Sequence, residues 1–194
     1  TRDQLKIGDE FGDEAPRHIV RTAAVADRRI RIPPGAANHE ESAEIVVPAD
    51  VQLLAFLPHL HVRGKAFRYE LQRPGAEGSA ARQVVLDIPR YDFNWQLRYL
   101  LREPLEAPRG SVLRATAWYD NSANNPANPD PGKTVRWGPQ THDEMMLGYV
   151  EYFLVDEDPT RPDELGDDGA AAGRRIPSFD QLLQQFDTNG DCRI

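Results

Sequence analysis

Val51-Gln52-Leu53-Leu54-Ala55-Phe56-Leu57 runs directly into Pro58-His59-Leu60-His61-Val62-Arg63-Gly64-Lys65. The apolar run is short, rich in large side chains and preceded by the turn signal Pro48-Ala49-Asp50, which is the pattern of a buried strand. If the chain stays extended through His59 and His61, the period of two puts both imidazoles on one side, where they could hold one metal ion. A third ligand has to come from elsewhere. The best candidate lies in Thr141-His142-Asp143-Glu144-Met145-Met146, just ahead of a second apolar, aromatic-rich run, Leu147 to Val155. Two imidazoles and a thioether form a borderline-to-soft donor set that favours copper, Cu(I) above all, over zinc, calcium or magnesium.

Each of these residues also has a plainer reading. His59 and His61 could be strand histidines hydrogen-bonded to backbone, and a methionine is usually core filler. Met146 serves as the internal control, because neighbours on a strand face opposite ways. We assign Met145 to the metal and Met146 to packing. His142 reads as an exposed loop histidine, and Asp143 and Glu144 as local turn or ladder residues.

Outward from this stretch the chain is a succession of short strands. Ile19-Val20 and Ala23 to Ala26 suggest an edge strand, Arg29-Ile30-Arg31-Ile32 alternates and stops at Pro33-Pro34-Gly35, and Ser42 to Val47 precedes the opening run. Lys65 to Gln72 places Phe67, Tyr69 and Leu71 on one face. Pro74 to Gly78 is a hairpin loop leading to Gln83-Val84-Val85-Leu86. Tyr91-Asp92-Phe93-Asn94-Trp95-Gln96-Leu97 alternates aromatic or apolar with polar, and Ser111 to Tyr119 alternates again. The Asn/Pro-rich segment Asp120 to Pro131 is turn chemistry or a rim over the metal site. Strands every ten or so residues, with Pro and Gly between them, predict an all-β, antiparallel, jelly-roll-like β-sandwich.

Of the 194 residues, 40% are hydrophobic and 28% charged, an ordinary globular mixture, and the formal charge is -8. From Asp156 onward ten acidic residues face four basic ones, so most of that charge belongs to the tail. A clustered basic footprint for nucleic acid is missing, and no apolar run nears the roughly 20 residues that span a bilayer. The chain is expected to be soluble, with any export signal upstream or removed. The single cysteine, Cys192, permits no intrachain disulfide.

We divide the chain into a β-sandwich domain (1–155), an acidic linker (156–177) and a C-terminal piece (178–194). In the last, Phe179, Leu182, Leu183 and Phe186 follow helical spacing behind the cap Ser178. Asp187, Asn189 and Asp191 then resemble the first ligands of an EF-hand calcium loop. Cys192 stands where that loop needs glycine, and the bidentate glutamate of the twelfth position is not reached. The segment reads as a truncated EF-hand-like helix and half loop.

His59-Leu60-His61 with Gly64-Lys65, followed downstream by Thr141 and Asp143-Glu144-Met145, resembles the C-terminal domain of the copper type II, ascorbate-dependent monooxygenases, the peptidylglycine α-hydroxylating and dopamine β-monooxygenase family. Tyr91 to Gln96 and the Asn/Pro loop further resemble bacterial members. The resemblance covers roughly residues 1 to 155. It implies that His59, His61 and Met145 hold the copper at which O2 is activated to hydroxylate a C–H bond of an organic substrate. It implies a second, electron-transfer copper in a preceding domain fed by ascorbate; Thr1 is expected to start near the junction, and His18, His39 and His142 are too scattered to rebuild that site.

In the peptide-amidating branch an Arg, an Asn and a Tyr grip the peptide carboxylate; the corresponding places here hold Leu57, Leu147 and Tyr149. Tyr149 alone matches, which argues against a glycine-extended peptide. The resemblance also implies an exported location. From a different class, the alternative is a non-catalytic copper-binding or interaction β-sandwich linked to a calcium-binding segment.

Overall fold

A computed structural model describes residues 17–76, 78 and 81–157. The helix expected after Ser178, and Asp187, Asn189 and Asp191, lie outside the described residues. Within them the chain forms ten strands: β1 (Arg21–Ala26), β2 (Arg31–Ile32), β3 (His39–Val46), β4 (Val51–His59), β5 (Gly64–Gln72), β6 (Arg82–Ile88), β7 (Tyr99–Ala107), β8 (Val112–Tyr119), β9 (Val135–Arg136) and β10 (Leu147–Leu154). One four-stranded sheet has the order β1-β10-β4-β7, the other β3-β8-β5-β6, and β2 pairs with β9 in a small ribbon. Every strand pair is antiparallel.

The core lies between the two larger sheets. Phe67, Tyr69 and Leu71 of β5 and Leu113, Ala115, Ala117 and Tyr119 of β8 meet Val25, Val51, Leu53, Phe56 and Val150 from the first sheet. The alternation of β5 and β8 predicts these inward positions correctly, since an antiparallel sheet with one buried face sorts side chains with period two. Gly148 of β10 lets the sheets approach: a Cβ there would sit 2.9 Å from Tyr69 Cε1 and 3.1 Å from the Ala115 Cβ.

Two expectations need correction. Tyr91 to Leu97 is a loop, closed by turn hydrogen bonds from Trp95 N to Asp92 O and from Asn94 N to the Asp92 carboxylate. The strand of this region is instead β7, whose sequence Tyr99-Leu-Leu-Arg-Glu-Pro-Leu-Glu-Ala107 hides its character behind charges and Pro104. It is tolerated because β7 is an edge strand, where a missing N–H and exposed charged side chains cost little. Arg29–Ile32 shrinks to the two-residue β2.

One irregularity positions the site. In β4, Leu53 pairs with Tyr152 and Ala55 with Glu151, so Leu54 is an extra residue with no partner in the β10 ladder. The core positions of β4 accordingly run Val51, Leu53, Phe56, a step of two followed by a step of three. A bulge of this kind reverses the face of everything beyond it. His59, which would continue the parity of Val51 and Leu53 into the core, is turned to the outer face of the sheet.

Candidate metal centre

His59 ends β4 and His61 follows two residues later, just before the Val62-Arg63 turn closed by Gly64 N donating to His61 O at 3.0 Å. The two rings stand edge to face with centroids 5.2 Å apart. His61 is buried and His59 half-buried. Between them Leu60 drops into the core, and its N–H and C=O are both satisfied at 3.0 Å by the Tyr91 hydroxyl. That anchoring holds the backbone so that His59 and His61 emerge together.

Burial depresses the pKa of both imidazoles. For His61 it falls to about 4, with the neighbouring His59 charge adding to the desolvation. His59 is lowered by burial, partly offset by its bond to Gln96. At neutral pH both rings are therefore uncharged, the form in which imidazole ligates a metal.

Met145 arrives from the other direction. In the ladder between β4 and β10, Leu147 is the cross-strand partner of His59, and partners in an antiparallel pair project to the same face. Met145, Leu147 and Ala24 form a second apolar cluster with Tyr149 and Trp137 packed on it, separate from the main core. Met146 belongs to the main core and is fully buried. The alternation thus puts Met145 on the face that carries His59, and Met146 on the opposite one.

Glu144 joins the two segments. Its carboxylate is completely buried and accepts from His61 N at 2.8 Å and Arg63 N at 2.7 Å, while Met145 N lies 3.3 Å from the same oxygen that serves His61. Burial raises its pKa to about 7 against the opposing pull of these three N–H groups. Its own backbone is fixed by Glu144 N donating to Arg136 O and its C=O accepting from Gly138 N. This exceeds the local turn or ladder role expected of Glu144 from the sequence.

Around this clasp the buried Arg63 donates through Nε to Asn121 Oδ1 at 2.9 Å and through Nη1 to the His142 carbonyl at 2.9 Å. Asn121 in turn donates to Pro33 O and Lys133 O. Tyr119 OH donates to Met145 O at 2.9 Å. The Asn/Pro loop thus combines turn chemistry, such as Ala127 N to Asn125 Oδ1, with bracing of the turn after His61, where Asn125 Nδ2 reaches Val62 O. The imidazole of His142 is exposed, as expected.

Among the described residues no group of three or more His, Cys, Asp or Glu side chains is placed to share a metal ion. The thioether of Met145 lies on the face of the sheet that carries His59. Two neutral imidazoles and one thioether form a donor set that suits copper, with the Glu144 carboxylate already engaged by backbone N–H groups.

A profile of the copper type II ascorbate-dependent monooxygenase C-terminal domain matches residues 23–164. The chain belongs to this family. Its family is one of copper-binding monooxygenase domains, and the match ends before Asp187, Asn189 and Asp191, so it lends calcium no support. A search of curated proteins found no match. Among solved structures, the chain is similar to that of the infectious bursal disease virus Gx strain, with 12% identity and a TM-score of 0.38, over 78% of this chain and 37% of that one. It is likewise similar to the VP2 subviral particle of the same virus, with 13% identity and a TM-score of 0.36 over the same shares. It therefore spans little more than a third of those viral chains.

Sequence reasoning left Gln96, Arg63 and Tyr91 without a role at the site. Gln96 accepts from the His59 ring at 2.7 Å, and Phe93 meets the edge of the His61 ring with centroids 6.2 Å apart. The signal for them was present in the block Tyr91 to Gln96, but reading it as a strand hid its position over the histidines.

Proposed function

We propose that His59, His61 and Met145 hold one copper ion and that the domain is the catalytic half of a monooxygenase that hydroxylates a C–H bond of an organic substrate. The observation that carries this reading is the clasp: His59 and His61 stand 5.2 Å apart, and the backbones of His61 and Met145 meet at one carboxylate oxygen of Glu144. Bound there, copper supplies one-electron chemistry with O2 that no side chain of this domain possesses.

The residues contribute holding and orientation. Neutral imidazoles present lone pairs without first losing a proton. Glu144 and Arg63 keep the two ligand-bearing segments in register, and Tyr119 fixes the backbone of Met145 from the core side. Tyr149 packs on the same apolar cluster as Met145, and in this reading it would touch a substrate that approaches along the outer face of the sheet.

In this reading the electrons come from a reductant such as ascorbate through a second copper domain, upstream or in trans. Residues 1–155 form the copper domain, 156–177 a linker and 178–194 a separate C-terminal piece. An exported location, periplasmic or extracellular, accords with the family. Among the described residues no helix is long and apolar enough to cross a membrane.

Anaerobic titration of the purified chain with Cu(I) against a chromophoric chelator tests the assignment. Wild type should take up one equivalent, and His59→Ala or His61→Ala should weaken binding by at least about a hundredfold, more than losing an outer partner does. Absence of stoichiometric uptake, or full affinity in both variants, would overturn it.

A further inference from the structure

The loop between β6 and β7 lies over both histidines, and its internal bonding leaves it little freedom. Tyr91 N donates to Lys65 O at 2.9 Å, and the Asp92 carboxylate accepts from Asn94 N at 2.8 Å. Gln96 closes the arrangement. Its Nε2 donates to the Phe93 carbonyl at 2.9 Å, which leaves Oε1 facing His59 Nδ1 at 2.7 Å.

The orientation of the amide is fixed by chemistry. Turned over, it would set its oxygen against the Phe93 carbonyl, and two acceptors would meet. An oxygen facing Nδ1 can only accept, so the proton of the neutral ring must sit on Nδ1. The lone pair then lies on Nε2, the nitrogen left free by this contact.

We propose that Gln96 is a positioning residue, setting the tautomer and angle of the His59 ring from a loop outside the strands that carry the ligands. The inference rests on the copper reading for its purpose, but the tautomer itself is a property of the metal-free chain. The neighbours Trp95 and Leu97 are 67% and 42% exposed, so the loop is held at the site chiefly by the bonds of Tyr91 to Lys65 O and Leu60 rather than by burial of its tip.

The test is long-range 1H–15N correlation of the imidazoles at pH 7.5 in metal-free chain, with His59 assigned through His59→Gln. The expected result is the Nδ1–H tautomer for His59 in wild type, and a shift towards Nε2–H or a mixture in Gln96→Leu. Thermal midpoints should agree across the variants, because Gln96 is exposed. Cu(I) affinity should fall roughly 10- to 100-fold in Gln96→Leu.

A predominant Nε2–H tautomer in wild type, or one tautomer unchanged by Gln96→Leu, would overturn the inference. Should wild type fail to bind copper, the proposed function falls, and the nitrogen spectra alone decide the role of Gln96.

Discussion

Glu144 and His61 pull stability in opposite directions with pH. His61 has its pKa lowered to about 4 by burial, so below its ordinary value of 6.5 the folded state binds fewer protons than the unfolded chain. Its contribution is therefore present above 6.5 and lost as pH falls towards 4. Glu144 has its pKa raised from 4.5 to about 7, so there the folded state binds more protons, and stability is lost as pH rises through that window. Between 4.5 and 6.5 the two effects oppose one another, with the lowered His59 adding to the side of His61. Chemical denaturation of the metal-free chain should show only a shallow pH dependence over this interval. Glu144→Gln should unmask a rise of stability with pH, on the order of 2 kcal/mol across it; a profile as flat as that of wild type would contradict the paired shifts. At this scale the sequence was partly legible. Two histidines at a spacing of two named themselves, whereas Glu144 looked like an ordinary acidic turn residue, since nothing local says that three N–H groups from two segments will converge on it.

At the level of the element, the decisive feature is the extra residue Leu54 in β4. The sequence predicts the strand and where it starts, with β4 running on to His59, but a run as apolar as Val51 to Leu57 has no polar alternation from which a change of face could be read. The bulge appears only once β10 is paired alongside. The same limit explains β7: its inward residues are sparse because it is an edge, so the aromatic alternation of Tyr91 to Leu97 looked more strand-like than the strand itself. Phe67, Tyr69 and Leu71, by contrast, were legible because β5 has one wet face and one dry one. Gly148 shows how closely β10 is fitted to the opposite sheet. Gly148→Ala forces its new methyl to within 2.9 Å of the Tyr69 ring, whose hydroxyl also donates to Tyr149 O at 3.1 Å. Urea titration should show a loss of about 1–3 kcal/mol, the usual cost of overpacking. A gain in stability would mean that the sheets separate freely at this point, against the packing described.

At the scale of the molecule, the sandwich uses its two faces for different ends. The inner face of the first sheet joins the core, while its outer face carries His59, Met145, Leu147 and Tyr149. Met146 packs in the main core and Met145 in the second apolar cluster, the opposite placement that alternation of adjacent residues leads one to expect. What parity alone could not reveal is which of the two faces lies outside; that required the bulge and the ladder. The most direct measurement is X-ray absorption at the copper edge of the anaerobic Cu(I)-loaded chain, comparing wild type with Met145→Ala and Met146→Ala. A copper–sulfur component should be present in wild type and in Met146→Ala, the latter destabilised by about 2–5 kcal/mol as a core truncation, and absent only from Met145→Ala. Sulfur scattering that survives in Met145→Ala, or is missing from wild type, would contradict a copper centre built from His59, His61 and Met145.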